Sequence, residues 1–337
     1  MATIVFTELE GWEEPYLKDK LPGHELRLLS HPPTAADWLA LAEAEVVSPF
    51  IYTYLKTDEL ERLPKLKFIA TRSTGFDHID VAAAKSRGVA VANVPFYGEN
   101  TVAEHTWALI LALSRKILQS YERTERGNFQ IDESLRGFDL KEKTLGVIGC
   151  GHIGQHVVRI AKAFEMNVLV FDAKPNPALA QELGFTYVSL DTLLKEADVI
   201  TLHAPYMPAT HHLLNAENMK LIKKGAVLVN TARGGLVDTQ ALVKALENGT
   251  LSGAGLDVLE EECNIREEGE VLSPEFHKSC DLKTLIADHV LLSRDDVIIT
   301  PHNAFNSKEA IVRILDTTVA NIQAYLVGKP QNVVSAQ

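Results

Sequence analysis

The sequence predicts an α/β protein of two doubly wound domains, each a parallel sheet with helices on both faces. Short apolar runs typical of buried strands alternate with amphipathic helical segments along most of the chain. A length of 337 residues suits two domains. An ordered glycine motif near the middle of the chain marks the core of the second one.

The first hundred residues carry the first set of alternating elements. The predicted strands are Ile4–Phe6, Leu26–Leu29, Glu45–Val47 with Phe50–Tyr52, Leu66–Thr71 and Val89–Asn93. The predicted helices are Glu13–Leu21, Trp38–Glu43, Asp58–Leu63 and Ile79–Ser86. This order predicts a parallel sheet because strands that alternate with helices form crossover units.

Asn100–Glu122 is predicted to form one long apolar helix, buried between the domains. Its apolar part is too short and too closely flanked by polar residues to span a bilayer. The following residues, 123–140, are polar and are predicted to lie exposed on the surface.

The glycine motif lies between two predicted strands, Leu145–Ile148 and Val168–Phe171. Gly149, Gly151 and Gly154 have the G-x-G-x-x-G spacing and open a helical segment. Strand, glycines, helix and strand in this order are typical of a Rossmann domain, whose helix N-terminus binds a pyrophosphate. Asp172 ends the second strand, where it would bind the ribose hydroxyls. The predicted cofactor is NAD, because this acid would repel the 2′-phosphate of NADP.

Alternation continues after Asp172. The predicted strands are Val199–Leu202, Ala226–Asn230, Ser252–Leu256 and Val297–Thr300, and the predicted helices are Leu190–Glu196, Ala216–Ile222, Thr239–Asn248, Leu282–Leu292 and Ser307–Val327. Residues 263–296 interrupt this alternation of strands and helices. They form a charged, irregular segment that includes the helix predicted at 282–292.

Polar residues directly after these strands are the candidates for chemistry, since ligands bind at the carboxyl ends of parallel strands. They are Thr74 and Gly75, Arg233, Asp257 with Glu262, and His302. Each also has a structural interpretation: Arg233 as a solvated charge, Glu262 as part of an exposed acidic run, and His302 as a loop histidine. His105, inside an apolar helix, is predicted to be a packed or capping residue and not a ligand.

Composition restricts the partners. A net charge of −12 and a pI near 5.5 argue against a nucleic-acid or anionic-membrane surface. The N-terminus is acidic and has no long apolar run, so we expect neither a secretory signal nor a membrane anchor. Three widely spaced cysteines predict a reducing, cytoplasmic location. No cluster of His, Cys and acidic residues has metal-ligand spacing, so no metal is expected.

Several motifs occur together in a fixed order: TRSTGFDHID (71–80), VPFYGENTVAEHT (94–106), LGVIGCGHIG (145–154), LHAPYMPATHHLLN (202–215), NTARGGLVD (230–238), GAGLDVLEEE (253–262) and TPHNAF (300–305). With them the sequence resembles the D-isomer-specific 2-hydroxyacid dehydrogenases, and within that family the NAD-dependent D-lactate branch. The resemblance implies a flavodoxin-like substrate domain (1–100 and 301–337) into which a Rossmann NAD domain (101–300) is inserted.

The resemblance also implies roles for individual residues. His302 would exchange a proton with the substrate oxygen, Glu262 would favour the charged form of that imidazole, and Arg233 would bind the substrate carboxylate. The substrate-binding positions are Tyr52, Thr74, Gly75, Tyr97 and Phe305. The cofactor-binding positions are Gly149, Gly151, His152, Ile153, Gly154, Asp172, Ala204, Pro205, Thr210, Thr231, Ala232 and Asp257, the last reaching the nicotinamide carboxamide.

Other functions stay open at this point. A hydroxypyruvate or glyoxylate reductase is one, and a phosphoglycerate dehydrogenase is less expected because only 35 residues follow His302. Formate dehydrogenases carry an amide where Glu262 stands, so that function is disfavoured. NAD-binding corepressors share the fold and the three catalytic residues, so a binding protein of that type stays open. The apolar helix and the resemblance together predict a homodimer. Cys150, inside the glycine turn, suggests that NAD binding is sensitive to thiol modification.

Overall fold

A computed structural model describes residues 1–260 and 282–335 of the chain. The chain divides into two compact units. The smaller unit comprises Met1–Gly98 and Ser307–Gln337, and the larger unit comprises Glu99–Asn306. The chain therefore passes from one unit to the other at 98/99 and 306/307, compared with the sequence-based boundaries at 100/101 and 300/301.

The smaller unit is a five-stranded parallel sheet with the strand order β2-β1-β3-β4-β5. This is the flavodoxin-like order, as predicted. Its strands are β1 (Thr3–Phe6), β2 (Glu25–Leu28), β3 (Val46–Ser48), β4 (Phe68–Ala70) and β5 (Ala90–Ala92). Its helices are α1 (Glu13–Lys20), α2 (Ala35–Leu41), α3 (Thr57–Glu61), α4 (Val81–Ser86) and, from the C-terminal segment, α12 (Lys308–Leu326).

Both faces of this sheet are covered, and strand β1 shows why. Successive side chains of a strand point to opposite faces. Ile4 and Phe6 pack in one apolar cluster with Leu315 of α12, whereas Val5 packs in a second cluster with Leu60 of α3. All three β1 side chains are fully buried, so an uninterrupted apolar strand is what a sheet with two covered faces requires.

The larger unit is a seven-stranded parallel sheet with the order β12-β11-β10-β9-β6-β7-β8, a Rossmann arrangement with one added strand. Its strands are β6 (Thr144–Ile148), β7 (Asn167–Phe171), β8 (Thr186–Tyr187), β9 (Val199–Leu202), β10 (Ala226–Asn230), β11 (Leu251–Leu256) and β12 (Val297–Ile299). Its helices are α5 (Glu99–Ser114), α6 (Ile117–Glu125), α7 (His152–Ala163), α8 (Pro177–Leu183), α9 (Leu190–Glu196), α10 (Thr239–Glu247) and α11 (Leu282–Leu292).

Strand β10 shows the same two-sided packing in this unit. Val227 and Val229 belong to one apolar cluster, while Ala226 and Leu228 belong to the other. Strands β6 and β9 contribute to both clusters in the same way. The core of the unit therefore consists of two apolar layers, one on each face of the sheet.

The predicted single helix at 100–122 is wrong. The helix ends at Ser114, and a new one begins at Ile117 after Lys116, whose φ is +52°. Trp107 and Ile110 of α5 pack in the core of the larger unit.

Smaller predictions also fail. Phe50–Tyr52 forms no strand, and the helix predicted at Ala216–Ile222 is a 3₁₀ turn at Asn218–Leu221. Helix α8 and strand β8 were not predicted from the sequence. The helix predicted at Leu282–Leu292 is present. Within residues 1–260 and 282–335, no helix combines the length and the apolar character that crossing a bilayer would require.

Candidate active site

The glycine turn connects β6 to α7 and depends on two tight contacts. Gly149 has a φ of +91°, and a Cβ atom there would lie 2.7 Å from the backbone nitrogen of Ala204. A Cβ atom on Gly154 would lie 2.3 Å from the carbonyl oxygen of Gly149. Only glycine fits at either position, so the turn, strand β6 and helix α7 are pressed together as the motif predicts.

Gly151, unlike Gly149 and Gly154, has open space around it. It precedes the first residue of α7, and a Cβ atom there would meet nothing within 4 Å. The space in front of the helix N-terminus is therefore open. The first N–H groups of a helix have no partners within the helix and attract anions. The turn consequently fits the pyrophosphate of a dinucleotide.

Asp172 lies directly after β7 and contacts the glycine turn. Its carboxylate accepts hydrogen bonds from the N–H of Cys150, at 2.8 Å, and from the N–H of Lys174, at 2.7 Å. The acid predicted to bind the ribose therefore also fixes the turn beside it. This placement keeps a negative charge next to the anion site, in agreement with a preference for NAD over NADP.

Cys150 is 6% exposed, and burial together with the charge of Asp172 raises the pKa of its thiol to about 11. The thiolate is the reactive form of cysteine, and it is rare at neutral pH when the pKa is this high. The structure thus argues against the suggestion that thiol modification at Cys150 controls NAD binding.

The loop after β9 lies beside the glycine turn. Ala204 forms its contact with Gly149 through the backbone, and the Thr210 hydroxyl closes the loop by donating to the carbonyl oxygen of Pro205 at 2.8 Å. Three predicted cofactor-binding residues, Ala204, Pro205 and Thr210, thus lie in one closed loop at the point where the strand order reverses between β6 and β9.

The Arg233 loop follows β10 and is held by two glycines. A Cβ atom on Gly234 would lie 2.1 Å from the carbonyl oxygen of Leu259, and one on Gly235 would lie 2.7 Å from the Tyr206 ring. The Asn230 side chain also donates to the carbonyl oxygen of Arg233 at 2.8 Å. The glycine pair therefore packs under neighbouring loops and fixes the backbone that carries the half-buried Arg233.

Thr231 and Ala232, predicted to contact the cofactor, lie at the start of this loop. The hydroxyl of Thr231 is 2.8 Å from the hydroxyl of Thr106 on α5, and the N–H of Ala232 donates to the side chain of Asn230 at 3.0 Å. Side-chain groups of the chain itself thus fix both positions.

Asp257 follows β11 and lies under the loop that carries His302. It is 1% exposed, and its carboxylate accepts the N–H of Asn303 at 3.0 Å and the N–H of Ala304 at 2.9 Å. The hydroxyl of Thr300 also donates to it, at 2.5 Å. The sequence did not indicate these contacts. The contact between Asp257 and a nicotinamide carboxamide stays a prediction.

Four predicted residues of the larger unit remain. His152 and Ile153 are the first two residues of α7, directly after the glycine turn. The other two are Glu262 and Phe305. Phe305 is half-buried in the loop after His302. Glu262 lies outside the described residues, so its role remains a prediction from the resemblance. Arg233, Asp257 and His302 follow β10, β11 and β12, which are consecutive in the sheet, and their loops start at the same edge.

The predicted substrate-binding residues of the smaller unit also follow its strands. Thr74 is fixed after β4 by its hydroxyl, which donates to the carbonyl oxygen of Val94 at 2.7 Å. Tyr52 follows β3, and its N–H donates to the carboxylate of Glu8 at 3.0 Å. The carbonyl oxygens of Gly75 and Tyr97 accept bonds from Ser73 and Arg313, respectively.

His211, His212 and Glu260 bring three possible metal-ligand atoms within 4.8 Å of one another. The two imidazole rings are stacked, with their centroids 3.8 Å apart, so their in-plane lone pairs do not point to a common centre. His212 bonds to Glu260 at 2.5 Å, and the hydroxyl of Thr239 donates to the same carboxylate at 2.9 Å. We therefore interpret the cluster as hydrogen-bonded support for the loop after β11.

Residues 107–304 match the family model described as D-isomer specific 2-hydroxyacid dehydrogenase, NAD binding domain. The matched segment lies within the larger unit and contains the glycine turn, Arg233 and His302.

The similar proteins are named for more than one activity. The chain is 36% identical to a glycerate dehydrogenase of Methylorubrum extorquens, with 99% of both proteins aligned. It is 42% identical to the D-lactate dehydrogenase of Escherichia coli over 78% of each chain. Among solved structures, the Aquifex aeolicus D-lactate dehydrogenase in complex with NAD and lactic acid is similar, with a TM-score of 0.84, 38% identity, and 97% and 96% coverage.

Proposed function

Because the chain belongs to the D-isomer-specific 2-hydroxyacid dehydrogenases, we propose that it is a D-lactate dehydrogenase. As a member of this family it is an NAD-dependent oxidoreductase that acts on the CH–OH group of 2-hydroxy acids. In the proposed reaction it reduces pyruvate with NADH to D-lactate, or carries out the reverse oxidation.

The observation that carries the proposal is the order of polar residues along one sheet edge. Arg233, Asp257 and His302 follow three consecutive strands, and the glycine turn follows β6 at the same edge. A cation for a carboxylate, an imidazole for proton transfer and a dinucleotide site are the groups that dehydrogenation of a hydroxy acid needs.

Each group has a defined task in the proposed mechanism. NADH, when bound at the glycine turn, supplies the hydride. His302 donates a proton to the carbonyl oxygen of the 2-oxo acid, and it takes the hydroxyl proton in the reverse direction. Arg233 holds the substrate carboxylate and stabilises charge on the carbonyl oxygen. Glu262 would favour the protonated form of His302.

The Thr74–Gly75 segment supports recognition of an anion. In residues 1–260 and 282–335, the N–H groups of Thr74 and Gly75 donate to no other protein group. Thr74 itself is exposed, and its hydroxyl bond to Val94 fixes the local backbone. Two adjacent N–H groups on a fixed backbone can bind one carboxylate.

A screen of 2-oxo acids tests the substrate. NADH oxidation is measured with pyruvate, hydroxypyruvate, glyoxylate and phenylpyruvate, and we expect the highest kcat/KM with pyruvate. A clear preference for hydroxypyruvate would instead assign the function named for the Methylorubrum relative. Oxidation of D-lactate but not L-lactate is the second requirement. No turnover of any 2-oxo acid would favour a binding protein of the corepressor type.

We include a homodimer in the proposal, with an exposed apolar surface as its support. This surface comprises Ile117, Leu118, Tyr121, Phe129 and Ile131, which are 41–91% exposed. Exposed apolar patches are typical of interaction surfaces, and Ile117 and Tyr121 lie one turn apart on α6. Sedimentation should therefore show about twice the monomer mass of 37.1 kDa, and Tyr121→Asp should shift the protein toward monomer.

A cytoplasmic location also belongs to the proposal. Cys150, the cysteine within the described residues, is a free and buried thiol, which suits a reducing compartment. Fractionation of cells that express the full chain would test this location.

A further inference from the structure

His302 has a backbone conformation that a residue with a side chain seldom adopts. Its φ is +51°, in the left-handed region, and its N–H donates to the carbonyl oxygen of Thr300 at 2.9 Å across Pro301. Such conformations persist only where the surrounding structure enforces them, and they occur often at functional sites. The contacts that enforce this one determine where the imidazole is presented.

The Asp257 carboxylate makes those contacts on both sides of His302. One oxygen accepts the Thr300 hydroxyl at 2.5 Å and the N–H of Asn303 at 3.0 Å, and the other accepts the N–H of Ala304 at 2.9 Å. A buried charged group needs such partners because it has lost its water. The loop and the carboxylate therefore stabilise each other.

His105 completes this network from helix α5. Its Nε2 lies 3.0 Å from the Thr300 hydroxyl oxygen and 3.5 Å from the nearer oxygen of Asp257. A carboxylate only accepts, so the single hydroxyl hydrogen of Thr300 points to Asp257. The hydroxyl oxygen is then an acceptor, and His105 must donate to it from Nε2. The geometry thus assigns the proton-bearing nitrogen of His105.

We propose that His105 is a positioning residue of the active site. It acts through Thr300 and Asp257 to hold the 300–304 loop, and so fixes where His302 presents its imidazole. The inference rests on the proposed function, in which His302 transfers the proton. Helix α5 packs through Trp107 and Ile110 in the core and so provides a rigid support for His105.

Matched substitutions test the proposal. His105→Leu removes the donor, and His105→Gln keeps an N–H near the Nε2 position. We expect His105→Leu to lower kcat for 2-oxo acid reduction roughly ten- to hundredfold while the Kd for NADH stays unchanged. His105→Gln should recover most of the loss. Equal kcat values for the two variants, or a matching loss of NADH affinity in His105→Leu, would overturn the proposal.

A double-mutant cycle tests whether the residues act in series. Thr300→Val removes the hydroxyl, and Thr300→Ser is its conservative control. If His105 acts through Thr300, adding His105→Leu to Thr300→Val should reduce kcat no further. Multiplied effects of the two substitutions would show independent roles and contradict the proposal.

A measurement without turnover separates this inference from the proposed function. NMR spectra of the cofactor-free protein report on the imidazole of His302. Its ring signals are the ones that the wild type shows and His302→Gln lacks. They should shift in His105→Leu and lie near the wild-type position in His105→Gln. Unchanged signals in His105→Leu would disprove the positioning role. Absence of any dehydrogenase activity in the wild type would disprove only the proposed function.

Discussion

The two units reverse their strand order at equivalent points, yet they fill those points differently. The reversal lies between β6 and β9 in the larger unit and between β1 and β3 in the smaller one. After β6, a glycine turn leaves open space at Gly151. After β1, Glu8 has a φ of +58°, and its carboxylate accepts the N–H of Tyr52 and the hydroxyl of Thr53.

This difference shows that topology alone does not make a dinucleotide site. Both crevices lie where ligands of such sheets bind. In the larger unit, glycines let the backbone carry the turn and leave helix N–H groups for an anion. In the smaller unit, an acidic side chain occupies the crevice and ties two loops together. Substitutions in the two crevices and at the active site should therefore have different effects on cofactor binding, catalysis and stability.

His302 is the group of the larger unit on which the proposed chemistry depends most. His302→Ala removes the proton donor, so kcat for pyruvate reduction should fall by roughly 10²–10⁴. The Kd for NADH, measured by fluorescence, should stay near the wild-type value because the glycine turn is intact. His302→Gln, which keeps a polar side chain, is the matched control. Near-normal turnover of the Ala variant would refute the proposed mechanism.

Gly149 and Gly151 separate the packing role of the turn from its binding role. Gly149→Ala places a Cβ atom 2.7 Å from the Ala204 backbone and forces a φ of +91° on alanine. It should cost on the order of 1–3 kcal/mol of stability and weaken NADH binding as well. Gly151→Ala meets no atom of the chain, so its Tm should match the wild type while the Kd for NADH rises. If Gly151→Ala bound NADH as tightly as the wild type, the pyrophosphate would not bind at Gly151.

Asp172 links cofactor choice to the turn. Asp172→Asn keeps an acceptor for the Cys150 N–H but removes the charge. We expect the ratio of kcat/KM with NADPH to that with NADH to rise about tenfold, a change of about 1.4 kcal/mol, because the repulsion of a 2′-phosphate is gone. Asp172→Ala should lose NADH affinity further. A wild-type preference for NADPH at matched concentrations would contradict this assignment.

Substitution of Glu8, in the smaller unit, should change stability and leave cofactor binding unchanged. Glu8→Ala removes the acceptor for Tyr52 and Thr53, so the free energy of unfolding should fall by about 1–3 kcal/mol. NADH affinity should stay the same, since the glycine turn lies in the other unit. Glu8→Gln retains an acceptor oxygen and should lose less stability. A large change in the Kd for NADH would show that the two crevices are not functionally separate.

Cys150 gives the smallest effect, visible only at alkaline pH. The pKa of its thiol is about 11 in the folded protein, above the ordinary value of 9.0, so the unfolded chain loses the proton first. This stabilising contribution is therefore complete below pH 9 and is lost as the pH rises toward 11, and at pH 10 the loss is about 1.4 kcal/mol. The free energy of unfolding, measured in urea, should fall less between pH 8 and pH 10 for Cys150→Ala than for the wild type. Equal decreases would mean that the thiol is not buried.

Sequence reasoning was accurate where the signal is local. The G-x-G-x-x-G spacing identified the turn, and the apolar alternation identified both sheets. It failed at 100–122, because the apolar pattern carries on through Lys116 while the backbone there turns left-handed. Hydrophobic periodicity reports which residues are buried, but it does not report a local reversal of φ.

The sequence by itself determined most of the strands and helices, the glycine turn and the polar residues at the strand ends, since each of these depends on neighbouring residues. Only the tertiary structure decided what Asp257 and His105 do. The partners of Asp257 lie 43–47 residues away, and Thr300 lies 195 residues from His105. Hydrogen bonds between such distant residues depend on how the strands are arranged in the sheet, and no pattern in a local stretch of sequence specifies that arrangement.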